Sequence, residues 1–88
     1  MERIIFPIKS FIAYVEYLPE NAQLNVILKL GNLYAYNVSQ NEFNAIKTAK
    51  RKGSYTSTFC RNKKSVFMGI VSKQQIKQNI NLTKYLAQ

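Results

Sequence analysis

The sequence contains no histidine, no aspartate and no tryptophan, and the first two absences bear directly on catalysis. Without histidine there is no imidazole to serve as a general base or metal ligand, and no Ser-His-Asp arrangement can form. The four acidic residues are all glutamate, and their spacing suggests no paired-carboxylate site. A glycine-rich phosphate loop is also missing. We therefore expect a non-enzymatic protein with no catalytic residue, no metal site and no cofactor.

Cysteine is scarce as well, because Cys60 is the only one. It cannot form an intramolecular disulfide, so nothing in the sequence requires an oxidising compartment. Basic neighbours such as Arg61 would lower the pKa of its thiol, as they do in reactive cysteines. A lone cysteine is more often buried and inert, and that is the interpretation we favour.

Long apolar runs are not found near the start of the chain. Residues 4–8 form the first apolar stretch, but Pro7 interrupts it and no small-residue cleavage pattern follows. This pattern is typical neither of a signal peptide nor of a membrane span. We expect a cytoplasmic protein that does not associate with membranes.

Acidic residues end at Glu42, whereas ten of the thirteen lysines and arginines lie between Lys47 and Lys84, and the net charge is +9. Uncompensated positive charge of this extent attracts phosphate polymers or acidic surfaces over a Debye length, roughly 8–10 Å at ordinary salt. The charge therefore indicates the kind of partner and says nothing about chemistry.

The length of 88 residues and the hydrophobic fraction of 47% predict a single folded domain, residues 1–88, rather than a basic tail. A chain of this size closes one small core and buries about 60–65% of its unfolded surface. Six tyrosines and five phenylalanines supply much of the apolar material for that core. Oligomeric state does not follow from these properties.

Strand patterns occupy the first forty residues, and a loop sets how two of these strands pair. Residues 23–30 and 32–38 both alternate between apolar and polar side chains. A two-residue turn at Gly31 and Asn32 would place their large apolar sets on opposite faces. A three-residue loop with Gly31 in the left-handed conformation would instead pair Val26 with Tyr34. Burial favours the three-residue loop, since it collects the apolar side chains on one face.

A helix over residues 40–52 follows, and its start is well marked. Ser39 and Glu42 have the spacing of a capping box, in which each side chain bonds a backbone N–H near the other. Apolar residues then recur every three positions. We predict that Gly53 has positive φ and ends this helix. Gly53 and the next two residues would then lie at a helix C-terminus, whose dipole repels anions.

The remaining sequence predicts one more strand and one more helix. Residues 65–71 have strand composition, and Gly69 would permit a bulge. A C-terminal helix would begin at Ser72, with Ile76 and Ile80 one turn apart on the same face.

These elements together predict an α+β fold in which a small antiparallel sheet packs against a central helix, with a further helix at the C-terminus. The sheet would comprise residues 10–38 and 65–71, and the central helix residues 40–52. The side chains that we expect to be mostly buried are Leu24, Val26, Leu28, Tyr34, Tyr36, Phe43 and Ile46.

A series of motifs runs along residues 10–61: Ser10, Ile12, Tyr17 and Pro19, then Leu24, Val26, Leu28, Gly31, Tyr34 and Tyr36, and finally Phe43, Ala49, Gly53, Ser54 and Tyr55. Their order resembles the KTSC domain, a small bacterial and phage module named for its likeness to the C-terminal region of certain lysyl-tRNA synthetases. Ser39 departs from the family, which usually has proline there. The resemblance implies the fold and no established activity, although the synthetase association leans towards RNA. Residues 66–88 would form a C-terminal extension outside it.

Two binding functions are compatible with this sequence. In the first, the protein binds the phosphate backbone of RNA or DNA, RNA foremost, without sequence-specific readout. Tyr55, and also Phe59, would stack on bases, although core packing is the alternative for both. Cations near a helix C-terminus are also favoured by its dipole, which is an alternative explanation for part of the cluster. The predicted nucleic-acid-binding residues are Lys47, Lys50, Arg51, Lys52, Arg61, Lys63, Lys64 and Tyr55.

In the second, the chain is an accessory or inhibitory protein of phage or plasmid type that docks on an acidic surface of a larger protein or nucleoprotein machine. Charge does not separate the two functions, because both use it for steering. A continuous basic stripe beside an exposed aromatic side chain would favour nucleic acid. An exposed apolar patch of several hundred Å² would favour a protein partner.

Overall fold

The computed structural model describes residues 1–7 and 9–79. Five antiparallel strands form one sheet in chain order, and helices cover both of its faces, so the predicted α+β fold is confirmed. Residues 80–88, the end of the predicted extension, lie outside the described residues. The elements are β1 (Glu2–Ile5), β2 (Ile12–Leu18), a 3-10 turn (Pro19–Asn21), β3 (Gln23–Leu28), β4 (Asn32–Asn37), α1 (Gln40–Thr48), α2 (Lys52–Arg61), β5 (Ser65–Ile70) and α3 (Lys73–Asn79).

The pairing of β3 with β4 follows the predicted register. Val26 lies opposite Tyr34 and Leu24 opposite Tyr36, with a three-residue loop between the strands. Gly31 closes this loop with φ of +105°, a conformation that side chains with a Cβ rarely adopt. The large apolar side chains of the two strands therefore share one face of the sheet, as burial requires.

That face carries the main core, onto which both α1 and α2 pack. Tyr17 of β2 stacks on Phe43 of α1 with ring centroids 4.4 Å apart, and its hydroxyl donates to the Val38 carbonyl oxygen at 2.8 Å. Leu24, Val26, Phe43 and Ile46 are buried as predicted. Leu28, Tyr34 and Tyr36 are only partly buried, because they border an open cavity beside α2.

The predicted helix over residues 40–52 is two helices. The capping box of Ser39 and Glu42 starts α1 as expected, but α1 ends at Thr48, where Ala49 turns extended with ψ of 137°. Gly53 lies in the first turn of α2 and has no positive φ, so its predicted role in ending the helix is wrong. A different constraint acts there, because a Cβ on Gly53 would lie 3.0 Å from the Ser10 hydroxyl oxygen.

On the opposite face of the sheet, α3 packs through one side chain of the described residues. Ile76 of α3 packs on a smaller cluster that contains Tyr14 and Ile27, and the Gln75 N–H donates to the Ser72 hydroxyl at 3.1 Å. β5 adds to the free edge of β4, with the pairing shifted near Gly69 as predicted. β1 lies at the other edge of the sheet and extends it beyond the predicted strands.

β5 is an edge strand that exposes much of its apolar surface. In the sheet order β5 lies beside β4, and no strand of the described residues pairs with its other side. Such an edge offers unpaired backbone groups to another chain. Its exposed large side chains, each between 54% and 68% accessible, are Val66, Phe67, Met68 and Ile70.

Candidate nucleic-acid interface

Two of the predicted binding cations are held in ion pairs. The Lys47 ammonium lies 2.8 Å from the Glu2 carboxylate of β1. The Lys63 ammonium lies 2.9 Å from the Glu42 carboxylate and also donates to the Asn37 carbonyl oxygen at 2.9 Å. These pairs partly neutralise both lysines. We therefore expect each to contribute less to an attraction for phosphate than an unpaired cation would.

Glu42 joins two elements through its carboxylate. It accepts from the Ser39 N–H at 2.9 Å and from Lys63 at 3.1 Å. The Ser39 N–H and the nearby Lys63 ammonium lower the pKa of Glu42, because both stabilise its charged form. Lys63 thereby connects the segment after α2 to the start of α1. Phe59, a predicted stacking residue, packs against the main core, with Lys63 5.2 Å from its ring centroid.

Three other predicted cations share a groove at the start of α2. We define the basic groove as a cavity of about 540 Å³ between the β1–β2 connection and the α1–α2 connection. Lys9, which the sequence analysis did not select, lies on its other side, where the β1–β2 connection brings it. The residues that line the basic groove are Pro7, Lys9, Ser10, Phe11, Lys50, Arg51, Lys52, Gly53, Ser54 and Ser57.

The N-terminus of α2, which is the positive end of its dipole, also lies at the basic groove. Arg51 is its N-cap residue, makes no side-chain capping bond, and no acidic residue occupies the first turn. Backbone N–H groups at a helix N-terminus are unpaired and carry partial positive charge. The prediction that Gly53 and its successors lie at a helix C-terminus is thus reversed, and the local dipole favours anions.

Phe11 is the most exposed aromatic side chain of the described residues, with 83% of its surface accessible. It lies where the basic groove meets two smaller cavities. One, of about 270 Å³, also includes Lys29 and Leu30, and the other, of about 320 Å³, includes Arg61. Phe11 is the one residue that lines all three, and no glutamate of the described residues lines any of them. The cavities that meet at this exposed ring are thus lined by cations and by no acid.

The third cavity contains both tyrosines of the matched strand pair together with Cys60. Burial raises the pKa of the Cys60 thiol, an effect that a hydrogen bond with Tyr36 partly offsets. Burial and the neighbouring Cys60 likewise raise the pKa of Tyr36. The basic neighbours of Cys60 suggested a lowered thiol pKa. That interpretation is wrong, because desolvation opposes the charged thiolate. Both side chains remain protonated at neutral pH.

The predicted site residues are thus dispersed over the surface. Lys50, Arg51 and Lys52 meet in the basic groove, and Arg61 borders the tyrosine cavity. Lys64 and Tyr55 are exposed but line none of the three cavities, and Tyr55 is 41% accessible. Within residues 1–7 and 9–79 no three histidine, cysteine, aspartate or glutamate side chains cluster as a metal site. No helix in that part of the chain is long and apolar enough to cross a membrane.

Comparison with known proteins bears on the family of this chain. No curated protein matches the chain. The family model of the KTSC domain matches residues 9–63, more than half of the 88 residues. This range contains every residue that lines the three cavities except Pro7, and it ends before β5 and α3. The chain therefore belongs to the KTSC domain family.

Proposed function

We propose that this protein binds nucleic acid, RNA foremost, through its phosphate backbone, without sequence-specific readout and without a catalytic step. The observation that supports this best is the gathering of four cations around the basic groove with no acid beside them. Lys9 comes from the β1–β2 connection, and Lys50, Arg51 and Lys52 come from the α1–α2 connection. Two chain segments distant in sequence therefore contribute to one positive surface.

The electrostatic repulsion among these four cations supports a role in binding. Like charges held close together repel, and surface glutamates would relieve that repulsion. Three of the four glutamates instead pair elsewhere, with Arg3, Lys47 and Lys63. A surface that keeps its positive charge uncompensated attracts a polyanion, and release of counterions then drives binding. The charged side chains that line the groove are three lysines and one arginine, each of which can bind a phosphate oxygen.

The salt dependence of binding tests the proposal. If about five cations contact phosphates, the log–log slope against salt is about −3.5 for single strands and −4.5 for duplexes. Affinity then falls about a hundredfold between roughly 50 and 200 mM salt. Fluorescence anisotropy with labelled RNA and DNA measures both quantities.

A groove variant and a control variant on the opposite face of the sheet sharpen the test. Changing Lys50, Arg51 and Lys52 to Gln should flatten the single-strand slope by about 2. The control, Lys73→Gln with Lys77→Gln, removes charge from α3 on the opposite face of the sheet and should alter the slope little. Failure to bind at about 50 mM salt would contradict the proposal, as would equal losses per charge in both variants.

A protein partner is the second candidate function, and β5 is the observation that favours it. An exposed apolar edge strand can accept a strand from another protein. An accessory protein of phage or plasmid type could thus dock on an acidic partner, with its cations steering the approach. Pull-down from the native host with and without nuclease separates the two functions. A partner that survives nuclease and is lost in Phe67→Lys would favour this one.

A further inference from the structure

We propose that Phe11 is a stacking platform for one unpaired base of single-stranded RNA, whose backbone runs along the basic groove. This inference rests on the proposed function and specifies where and how the nucleic acid is held. It follows from the exposure of the Phe11 ring, the fixed backbone that presents it, and the charges and hydroxyl groups around it.

Core packing does not account for the Phe11 side chain. The ring is 83% accessible, whereas the next residue, Ile12, is only 3% accessible. Phe11 belongs to neither of the two hydrophobic clusters of the described residues. A ring this exposed presents a planar apolar surface on which another planar group can stack.

The backbone on both sides of Phe11 is anchored. The Phe11 carbonyl oxygen accepts from the Lys29 N–H at 2.9 Å. The Ser10 hydroxyl accepts from the Ile12 N–H at 3.1 Å, and the Ser10 N–H donates to the Pro7 carbonyl oxygen at 2.9 Å. The backbone that presents the ring therefore has a fixed position at the start of β2. Such preorganisation lowers the entropy that binding would otherwise lose.

The charges around the ring select a polyanion with planar groups. Every charged side chain that lines the three cavities meeting at Phe11 is a cation. A flat apolar ring within a cationic groove matches the alternation of base and phosphate in a nucleic-acid strand. The cations concerned are Lys9, Lys29, Lys50, Arg51, Lys52 and Arg61.

The geometry favours a single strand and a ribose backbone. Bases in a duplex already stack on their neighbours, so a protruding ring can take only an unpaired base. The basic groove, about 540 Å³, has the size of a site for one small ligand, here one nucleotide. Ser10, Ser54 and Ser57 also line it, and a serine hydroxyl can donate to or accept from a ribose 2′-OH. We therefore assign the site to RNA.

The absence of tryptophan from the chain permits a direct test. Phe11→Trp introduces a single tryptophan at the proposed platform, which can be excited selectively over the six tyrosines, and base stacking should quench its emission. Titration with single-stranded oligouridylate should quench it. Inorganic polyphosphate and duplex RNA should bind without comparable quenching, because neither offers an unpaired base. Oligouridylate that binds by anisotropy but leaves the emission unchanged would overturn the stacking assignment and leave the proposed function intact.

Affinity measurements supply a second readout on a matched pair of variants. Phe11→Ala should weaken binding of single-stranded oligouridylate about 5- to 150-fold, the loss of one base–aromatic stack, with the salt slope unchanged. Leu30→Ala removes a side chain that is 81% accessible and lines the neighbouring cavity, so it is the control. Equal losses in both variants, or a change of salt slope in Phe11→Ala, would overturn the inference.

Two outcomes concern the nucleic acid itself. Single-stranded oligodeoxyuridylate should bind more weakly than oligouridylate, and equal affinities would overturn the assignment to RNA. No binding of any nucleic acid by anisotropy at about 50 mM salt would reject the proposed function and this inference together. If oligouridylate binds to the Phe11→Trp variant without quenching its tryptophan emission, this inference is rejected and the proposed function stands.

Discussion

The backbone N–H of Val71 donates to the carbonyl oxygen of Gly31 at 2.7 Å, and the Val71 carbonyl oxygen lies 2.5 Å from where a Cβ on Gly31 would stand. This contact joins the end of β5 to the loop between β3 and β4. Glycine is required at position 31 for two reasons: its φ is +105°, and a Cβ would not fit beside the Val71 carbonyl oxygen.

Gly31→Ala should therefore destabilise the protein by about 2–5 kcal/mol, from backbone strain and the clash with Val71 together. Gly69→Ala is the matched control, since Gly69 has φ of +129° but nothing lies within 4 Å of its Cβ position. It should cost only the strain, about 1–3 kcal/mol. Urea unfolding measures both values, and equal losses would contradict the proposed clash.

Gly53→Ala should destabilise the protein by about 1 kcal/mol although alanine is the better helix former, because the new Cβ would meet Ser10. Ser54→Ala, at the neighbouring exposed position of α2, should stay within about 0.5 kcal/mol of the parent. The penalty of Gly53→Ala should shrink in a Ser10→Ala background, where the nearer contact atom is gone. Additive effects in this double-mutant cycle would show that the close approach does not set the cost.

Ser39→Ala should destabilise the protein by about 0.5–2 kcal/mol through loss of the α1 cap. Circular dichroism during thermal unfolding would measure this loss. An unchanged melting temperature would contradict the role of the capping box.

Glu42→Gln should destabilise the protein at pH 7, and the difference from the parent should disappear in acid. The folded-state pKa of Glu42 lies below its ordinary value, so its charged form stabilises the fold above the unfolded pKa of about 4.3. That stability is lost as the pH falls through the lower, folded-state value. Glu20→Gln removes a charge from the exposed Pro19–Asn21 turn and should matter little. A Glu42→Gln penalty that persisted at low pH would contradict this linkage.

The Cys60 thiol should react slowly with dithionitrobenzoate at pH 7, because burial raises its pKa and limits access. The same chain unfolded in urea is the control and should react much faster. A native rate equal to the unfolded rate would contradict the packing of the Cys60 side chain against the main core.

Local patterns predicted those parts of the fold that depend on neighbouring residues. Strict alternation and one glycine determined the β3–β4 register, and two polar residues three apart marked the start of α1. α2 was missed because its sequence is largely polar and carries no side-chain cap. Gly53 was consequently assigned a positive φ, although its contact with Ser10 is a tertiary constraint that no local pattern contains.

The candidate site was predicted in part for a similar reason. Consecutive cations in the sequence led to Lys50, Arg51 and Lys52, which do meet in one groove. Lys47 and Lys63 belonged to the same cluster in the sequence, but glutamates from distant elements pair with them. The β1–β2 connection brings Lys9 and Phe11 to the groove. The exposure of Phe11 could not be inferred, because aromatic residues in strand-like sequence are usually buried.

The order of strands in the sheet equals their order in the chain. Each hairpin can therefore form from residues that have already left the ribosome, without inserting a strand between two earlier ones. β5 is the exception, because it follows α1 and α2 in the chain. The edge of β4 that pairs with β5 therefore stays unpaired until both helices have been synthesised. During that interval the exposed edge is the place where a newly made chain is most open to pairing with a foreign strand.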